Sequence, residues 1–549
     1  MHPNMTPAQR ANPLATHGMV TSPHYLASQA GLDVLRRGGN AVDAAIATAA
    51  ALTVVYPQMC TLGGDAFWLI YDAKARKLLG LNASGRAGSL ATIENYAALG
   101  LTRIPARGYL AANTVPGVVS GWGEAHAYSA RAMGSAYPWK DLFASAIELA
   151  QNGCPVSTSL AAWIAADIDR ANPNRLDPGL YTGFARCFLR DGKAYETGDI
   201  LRQTDLATSL MDLANNGAGE FYEGAIAERI VADLARHEGM LTMEDFRSHT
   251  ATWVEPITVS YRGCLACNLP PNSQGMASLG ILNILGNFDV GALGEGSADH
   301  IHLVVEATRR AFADRDHWLS DPAFAEIPLR ELLSAEHGRQ QAATIDMKRA
   351  SGDIAPMAPK GDTVWFGVVD GQGSACSVIQ SVYFDFGSGV VPEGTGILLQ
   401  NRGTFFSLDP RHVNSLRPGK RTFHTLNPAM LLRDGRPALV YGTMGGEGQP
   451  QTQAAVATRV IDFGMTPQEA VDAPRWIYGR TWGDEANGLR LEGRFAARVV
   501  KELGERGHRV SVVAPYTDAM GHAGAIKIRE NGLLEGASDP RGDGLACGY

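Results

Sequence analysis

The stretch that most constrains the fold runs from 358 to 381 and reads APKGDTVWFGVVDGQGSACSVIQS. It opens as a loose run containing Pro, Gly and Lys. At Thr363 it changes into two largely apolar segments, TVWFGVVD and SACSVIQSVYF, joined by the turn GQG. Segments of this length and composition around a glycine turn read as a hairpin of buried strands. Long helical patterns elsewhere can cover such a sheet. LASQAGLDVLRRGGNAVDAA reads as a helix, a Gly-Gly stop, and a second helix capped by Asn40. AFWLIYD, KLLGLNAS and ITVSYRGCLACNL read as strands, and SADHIHLVVEATRRAFADRDHWL as a helix. RPALVYGTMGGEGQPQTQAAVATRVIDF gives strand, glycine turn, helix, and AGAIKIRENGLLEGAS a hairpin with an Asn-Gly turn. The expected class is α+β, with helices on the outer faces of the sheets.

Bulk properties narrow the function. With 549 residues, 45% hydrophobic and 19% charged, the chain is globular and long enough for a large core. A net charge of −8 argues against a nucleic-acid partner, which needs a basic face. AVDAAIATAAALTVV, the most apolar helix, is too short to span a bilayer and carries Asp43. With no export signal or membrane anchor evident, the expected location is the cytoplasm. Residues 1–18 read as a disordered lead-in, and 340–362, which loses apolar periodicity, as a linker.

The seven cysteines are mostly dispersed. Cys264 and Cys267 form the one CxxC, but residues three apart on a strand face opposite ways, which argues against a zinc or redox pair. His300 and His302, two apart on a helix, diverge, so no metal site is expected. No Walker loop, dinucleotide fingerprint, G-x-S-x-G elbow or H-E-x-x-H motif is present.

What remains is Thr363. A threonine hydroxyl attacks only when a base removes its proton. The residue's own α-amine would serve, because its reference pKa of about 7.7–8.0 suits neutral pH. That amine exists only if the chain is cut after Asp362. A loose segment running into a buried strand can be cut there without unfolding the sheet. An ordinary strand-opening threonine is the competing explanation.

GDTVWFGVVDGQGSACSV resembles the processing site of the γ-glutamyltranspeptidase family of N-terminal-nucleophile hydrolases. The resemblance extends from GMVTSPHYLASQAGLDVLRRGGNAVDAA through TLGGDAFWLI to LLEGASDPRGDGLACGY. It implies a four-layer αββα sandwich and self-cleavage at Asp362–Thr363 into a 1–362 large subunit and a 363–549 small subunit, intertwined in one domain. A homodimer of such heterodimers is the expected assembly. Thr363 is the implied nucleophile, Gly445 and Gly446 the oxyanion site, and Ser381 a polar partner of the new terminus.

Other positions depart from the family pattern. Phe405 stands where an amine-binding Asp is implied, and Tyr383 where an Asn is. His424 and Thr425 replace a carboxylate-binding Ser-Ser pair. The carboxylate-binding Arg falls at Ser84, with Arg86 two residues on. The amine handles are thus missing, while Arg86 and Arg402 remain as carboxylate ligands. NRGTFFSLDP, FHTLNP and GQPQTQAA are similar to an oxamate amidohydrolase branch that acts in purine and allantoin breakdown. The expectation is a cofactor-free amidohydrolase that hydrolyses oxamate, a small amide, to oxalate and ammonia. A γ-glutamyl hydrolase or transpeptidase, and an uncleaved binder of small acids, are the alternatives.

Overall fold

A computed structural model describes residues 10–352, 362–479 and 488–549, with Asp362 as backbone only. Local chemistry sets the first helices. Gly38, at φ +91°, stops the Tyr25–Arg36 helix. Asn40 then accepts from the Val42 and Asp43 N–H groups at 2.9 and 3.2 Å, and Asp43 accepts from Asn40 N at 3.0 Å. This capping box starts Ala41–Val55, a helix buried at every position.

Two seven-stranded antiparallel sheets organise the chain. The first runs, in spatial order, Leu545–Gly548, Met19–Ser22, Asp362–Val369, Ala375–Tyr383, Asp65–Asp72, Lys77–Ala83 and Thr252–Val254. The second runs Leu14–Ala15, Leu534–Ser538, Ala523–Ile528, Arg436–Thr443, Ala429–Arg433, Cys264–Asn268 and Ile257–Tyr261. Each sheet mixes strands from both sides of Thr363.

Alternation along the strands sorts side chains into different cores. Val364, Phe366 and Val368 join the Ala41–Val55 helix in one core. Trp365, Val369 and Ile379 meet Met430, Val440 and Ile526 of the second sheet in another. Leu431, Leu439 and Ala525 face a third, built with helices Gly275–Leu285, Ala298–Trp318 and Gln449–Ile461. Trp365 lies between the sheets because Gly442 and Gly524 leave room for its indole. A Cβ at either glycine would run into that ring, and such overpacking costs about 1–3 kcal/mol.

The CxxC behaves as its spacing predicts: Cys264 joins the helix-side core and Cys267 the inter-sheet core. Two expectations need correction. The 1–18 lead-in is placed from residue 10 onward. Leu14–Ala15 pairs with Leu534–Glu535, and the Arg10 guanidinium donates to Ser538 Oγ and to the Gly542 and Gly544 carbonyls. The expected linker begins in helix Ala335–Ala343, and Ser351 is held by Glu306 and Arg309. Low apolar content hid both because their partners are distant charged or backbone groups. Residues 1–9 and 353–361 lie outside the described part.

Candidate active site

Thr363 is fully buried at the start of its strand. The pairing there is irregular. Asp362 opposes Tyr383, while Val364 already opposes Gln380, so the partner strand carries one extra residue. The bulge puts Tyr383 at φ +82°, and Ser381 Oγ accepts the Tyr383 N–H at 2.8 Å. Ser381 also registers against Asp65 on the next strand. By alternation, Thr363, Ser381 and Asp65 sit at one end of three adjacent strands, on the face turned to the second sheet.

The second sheet brings the glycine turn to that end. Gly367 packs against Val440 and Trp365 against Gly442, so the same progression carries Thr363 towards Met444 and Gly445. Gly445 has φ +122° and Gly446 +53°, conformations that favour glycine. Neither N–H takes an acceptor among the described residues. Helix Gln449–Ile461 follows directly, so its positive end reinforces any developing anion beside these donors.

Arg402 is 1% exposed, in a short helical turn. Its Nη1 donates to Thr425 Oγ1 at 3.2 Å, whereas Nε and Nη2 find no partner among the described residues. The guanidinium lies 4.1 Å from the Tyr383 ring centroid and 5.5 Å from that of Phe405. Burial lowers its pKa to about 10, with Tyr383 and Asp65 offsetting part of the fall. His424 Nε2 donates to Asp65 Oδ2 at 3.1 Å. Burial holds His424 well below the usual histidine range, and Arg402 adds to this, so the contact is a hydrogen bond from a neutral ring.

The other predicted positions fall differently. Arg86 is half-buried and pairs by backbone with Arg421. Burial, with Arg421 and Arg86, lowers the His249 pKa to about 3, which locates Arg86 in a second cationic group. Asp362 lies opposite Tyr383, and its side chain is outside the described part. His302 touches His508 at 2.8 Å, whereas His300 packs on Phe463 and Trp476, so the two histidines do diverge. His302, Glu306 and His508 bring possible ligand atoms within 4.8 Å of one another. Here His302 bonds to His508 and Asp346, and Glu306 to Ser351 and Arg310, which makes the group a hydrogen-bonded cluster. No described helix is long and apolar enough to cross a membrane.

Sequence reasoning missed Asp65, Gln274 and Arg315. Asp65 Oδ1 accepts from Gly85 N, Gly117 N and Gln400 Nε2 at 2.9, 3.2 and 2.9 Å. Burial raises its pKa to about 6 against these donors and Arg402. A lone acid opening the buried strand DAFWLIYD was the available signal, since such a charge must find donors. Gln274 Nε2 donates to Thr425 O at 2.7 Å and Gly446 O at 3.0 Å, and its Oε1 accepts from Arg315 Nη1 at 3.0 Å.

Residues 27–549 match the family model described as Gamma-glutamyltranspeptidase. A glutathione hydrolase-like YwrD proenzyme of Bacillus subtilis is 46% identical over 97% of this chain and 99% of its own length. An oxamate amidohydrolase proenzyme of Klebsiella pneumoniae is 47% identical over 98% of this chain and 99% of its own. The crystal structure of a cephalosporin acylase from Bacillus halodurans superposes with a TM-score of 0.90 at 37% identity, covering 100% of this chain and 99% of that one. These relatives carry three different substrate names, so the likeness fixes a class of hydrolase and leaves the acyl group to the pocket.

Proposed function

The chain belongs to the gamma-glutamyltranspeptidase family, and on that premise we propose that it is a self-cleaving amidohydrolase that converts oxamate to oxalate and ammonia. The reading includes a four-layer αββα sandwich, with pieces 1–362 and 363–549 sharing both sheets. Cleavage after Asp362 frees the Thr363 α-amine. That amine takes the Oγ proton as Oγ bonds to the amide carbon, and the Gly445 and Gly446 N–H groups receive the oxyanion. The resulting ammonium protonates the departing nitrogen, which leaves as ammonia. Water, deprotonated by the same amine, then breaks the acyl–Oγ ester and releases oxalate.

The observation that carries the substrate class is Arg402. A buried guanidinium with two donor nitrogens unsatisfied among the described residues is costly unless an anion completes it. A carboxylate can do so through paired N–H donors. Among the described residues the opposite charge is not on offer. Asp65 is the nearby acid, and its two oxygens already accept four hydrogen bonds. A γ-glutamyl ammonium would therefore enter beside a cation, with no free carboxylate among the described residues to meet it. Phe405, where the resemblance implied an acid, supplies only a ring. The test is kcat/KM for oxamate and for a γ-glutamyl anilide under the same conditions. Oxamate should be favoured by orders of magnitude; parity or the reverse order would defeat the reading.

A further inference from the structure

We propose that Gln274 is a positioning residue that sets the span between the Gly445–Gly446 turn and the Arg402 pocket, and with it the acyl length the enzyme accepts. The proposal rests on the amidohydrolase reading above.

Gln274 is fully buried just before helix Gly275–Leu285. Both polar atoms of its amide are engaged. Two N–H donors reach the Thr425 and Gly446 carbonyls, and the oxygen accepts from Arg315. The flipped amide would set oxygen against two carbonyls and N–H against a guanidinium, so only one orientation fits. Arg315 is itself fixed, since its Nε donates to Asp316 at 2.7 Å and its Nη2 to Glu447 at 3.2 Å. Glu447 directly follows Gly446, so the turn is held by its carbonyl and by its neighbouring side chain.

Two hydrogen-bonded links meeting at Thr425 therefore join the two halves of the site: Arg402 donates to the Thr425 hydroxyl at 3.2 Å, and Gln274 donates to the Thr425 backbone carbonyl at 2.7 Å and to Gly446 O at 3.0 Å. The Gln274 backbone N–H also holds the His424 carbonyl at 2.9 Å. In oxamate the carboxylate is bonded directly to the reacting carbon. Its two binding elements must then sit at one short, fixed distance, whereas each added methylene needs a longer span.

The test compares oxamate with malonamate, its homologue with one more methylene, on fully cleaved wild-type enzyme and Gln274→Met, which keeps the bulk and loses the donors. Wild type should prefer oxamate by about a hundredfold in kcat/KM, within the range one methylene commands. In Gln274→Met, kcat on oxamate should fall by about 10²-fold, the scale of a one-ångström misplacement. The oxamate-to-malonamate ratio should shrink by about tenfold. A parallel fall on both substrates, or an unchanged or larger ratio, would mean that Gln274 merely supports the fold and would overturn the proposal. If Gln274→Met does not fold, Arg315→Lys gives the same readout, because an ammonium lacks the rigid planar fork that fixes Gln274 and Glu447 from two separate nitrogens. If wild type hydrolyses neither amide but accepts γ-glutamyl anilide, the functional reading has failed by itself. The spacer claim is then judged by the same variants on the γ-glutamyl to β-aspartyl anilide ratio.

Discussion

Arg541 and Arg402 are both almost wholly buried, at 5% and 1% exposure, but their surroundings differ in kind. Arg541 grips Glu492 through two contacts of 2.7 Å and Asp539 through one of 3.0 Å, and its remaining N–H groups reach backbone carbonyls. Burial pulls its pKa down, yet Asp539 and Glu492 more than reverse this. Arg475 closes the cluster on Asp539. Among the described residues Arg402 has one hydrogen-bond partner, a hydroxyl, and its pKa falls. Where pairing is complete, a buried charge fastens strands and loops together. Where it is incomplete beside a bulged strand end and an open glycine turn, the missing partner is expected to come from outside the chain.

The contrast can be pressed hardest at Thr363. Thr363→Ala should abolish amide hydrolysis and leave one 549-residue band on a denaturing gel in place of pieces of 362 and 187 residues. Its melting temperature should stay near that of the uncut parent, because the Arg541 cluster is untouched. Normal processing of this variant would remove Thr363 from the mechanism.

Next in size is Arg541→Met. It leaves Asp539 with Arg475 and Glu492 with Arg494 as their remaining arginine partners, and should cost up to about 3–5 kcal/mol in urea unfolding, with activity per folded molecule largely kept. Arg402→Met should do the opposite. Loss of a buried charged contact to substrate, about 2–5 kcal/mol, lowers kcat/KM for oxamate by roughly 10²–10³, while stability holds or rises. If Arg402→Met unfolds the protein and Arg541→Met spares it, the two roles have been assigned the wrong way round.

A smaller effect is expected from product. Oxalate at about a hundred times its Kd should stabilise the wild type by about 2.7 kcal/mol and leave Arg402→Met unmoved. Equal stabilisation of both would place the anion elsewhere, with Arg86 and Arg421 the first candidates.

The smallest concerns Asp65. Its folded pKa, about 6, is above the ordinary aspartate value, so the stability it contributes is present at low pH and is lost as pH rises through about 6. Activity should run the other way, because the ionised carboxylate is the form that orients His424. In wild type minus Asp65→Asn, kcat/KM should fall as pH drops below about 6 while relative stability grows. A flat difference across that window would exclude Asp65 from the site.

The parts of this molecule that depend on near neighbours could be read from sequence. The Asn40 cap, the GQG hairpin, the divergence of Cys264 from Cys267 and the glycine turn before Gln449 follow from spacing and residue type within a few positions. Thr363 stood out for the same reason, at an abrupt change of composition. Which of Arg86 and Arg402 would meet a carboxylate was not legible, since it turns on how deeply each guanidinium is buried and what it touches after folding. Asp65 and His424 are 359 positions apart, and Gln274 meets Gly446 across 172. No local pattern encodes such meetings. The lead-in misled in the same way, because Arg10 finds its acceptors more than 500 positions downstream.

Both sheets draw strands from before and after Thr363. In the uncut chain, the covalent tether keeps these strands at high effective concentration while they find one another. A cut at 362–363 would leave the folded pairings in place and remove that tether. Met19–Ser22 would still lie against the Asp362–Val369 strand, but once separated the two would have to meet as different molecules. Such a protein assembles as one chain and, after the cut, has no comparable route back from the unfolded state. Its working lifetime would be governed by how slowly it opens, and not by an equilibrium it can revisit.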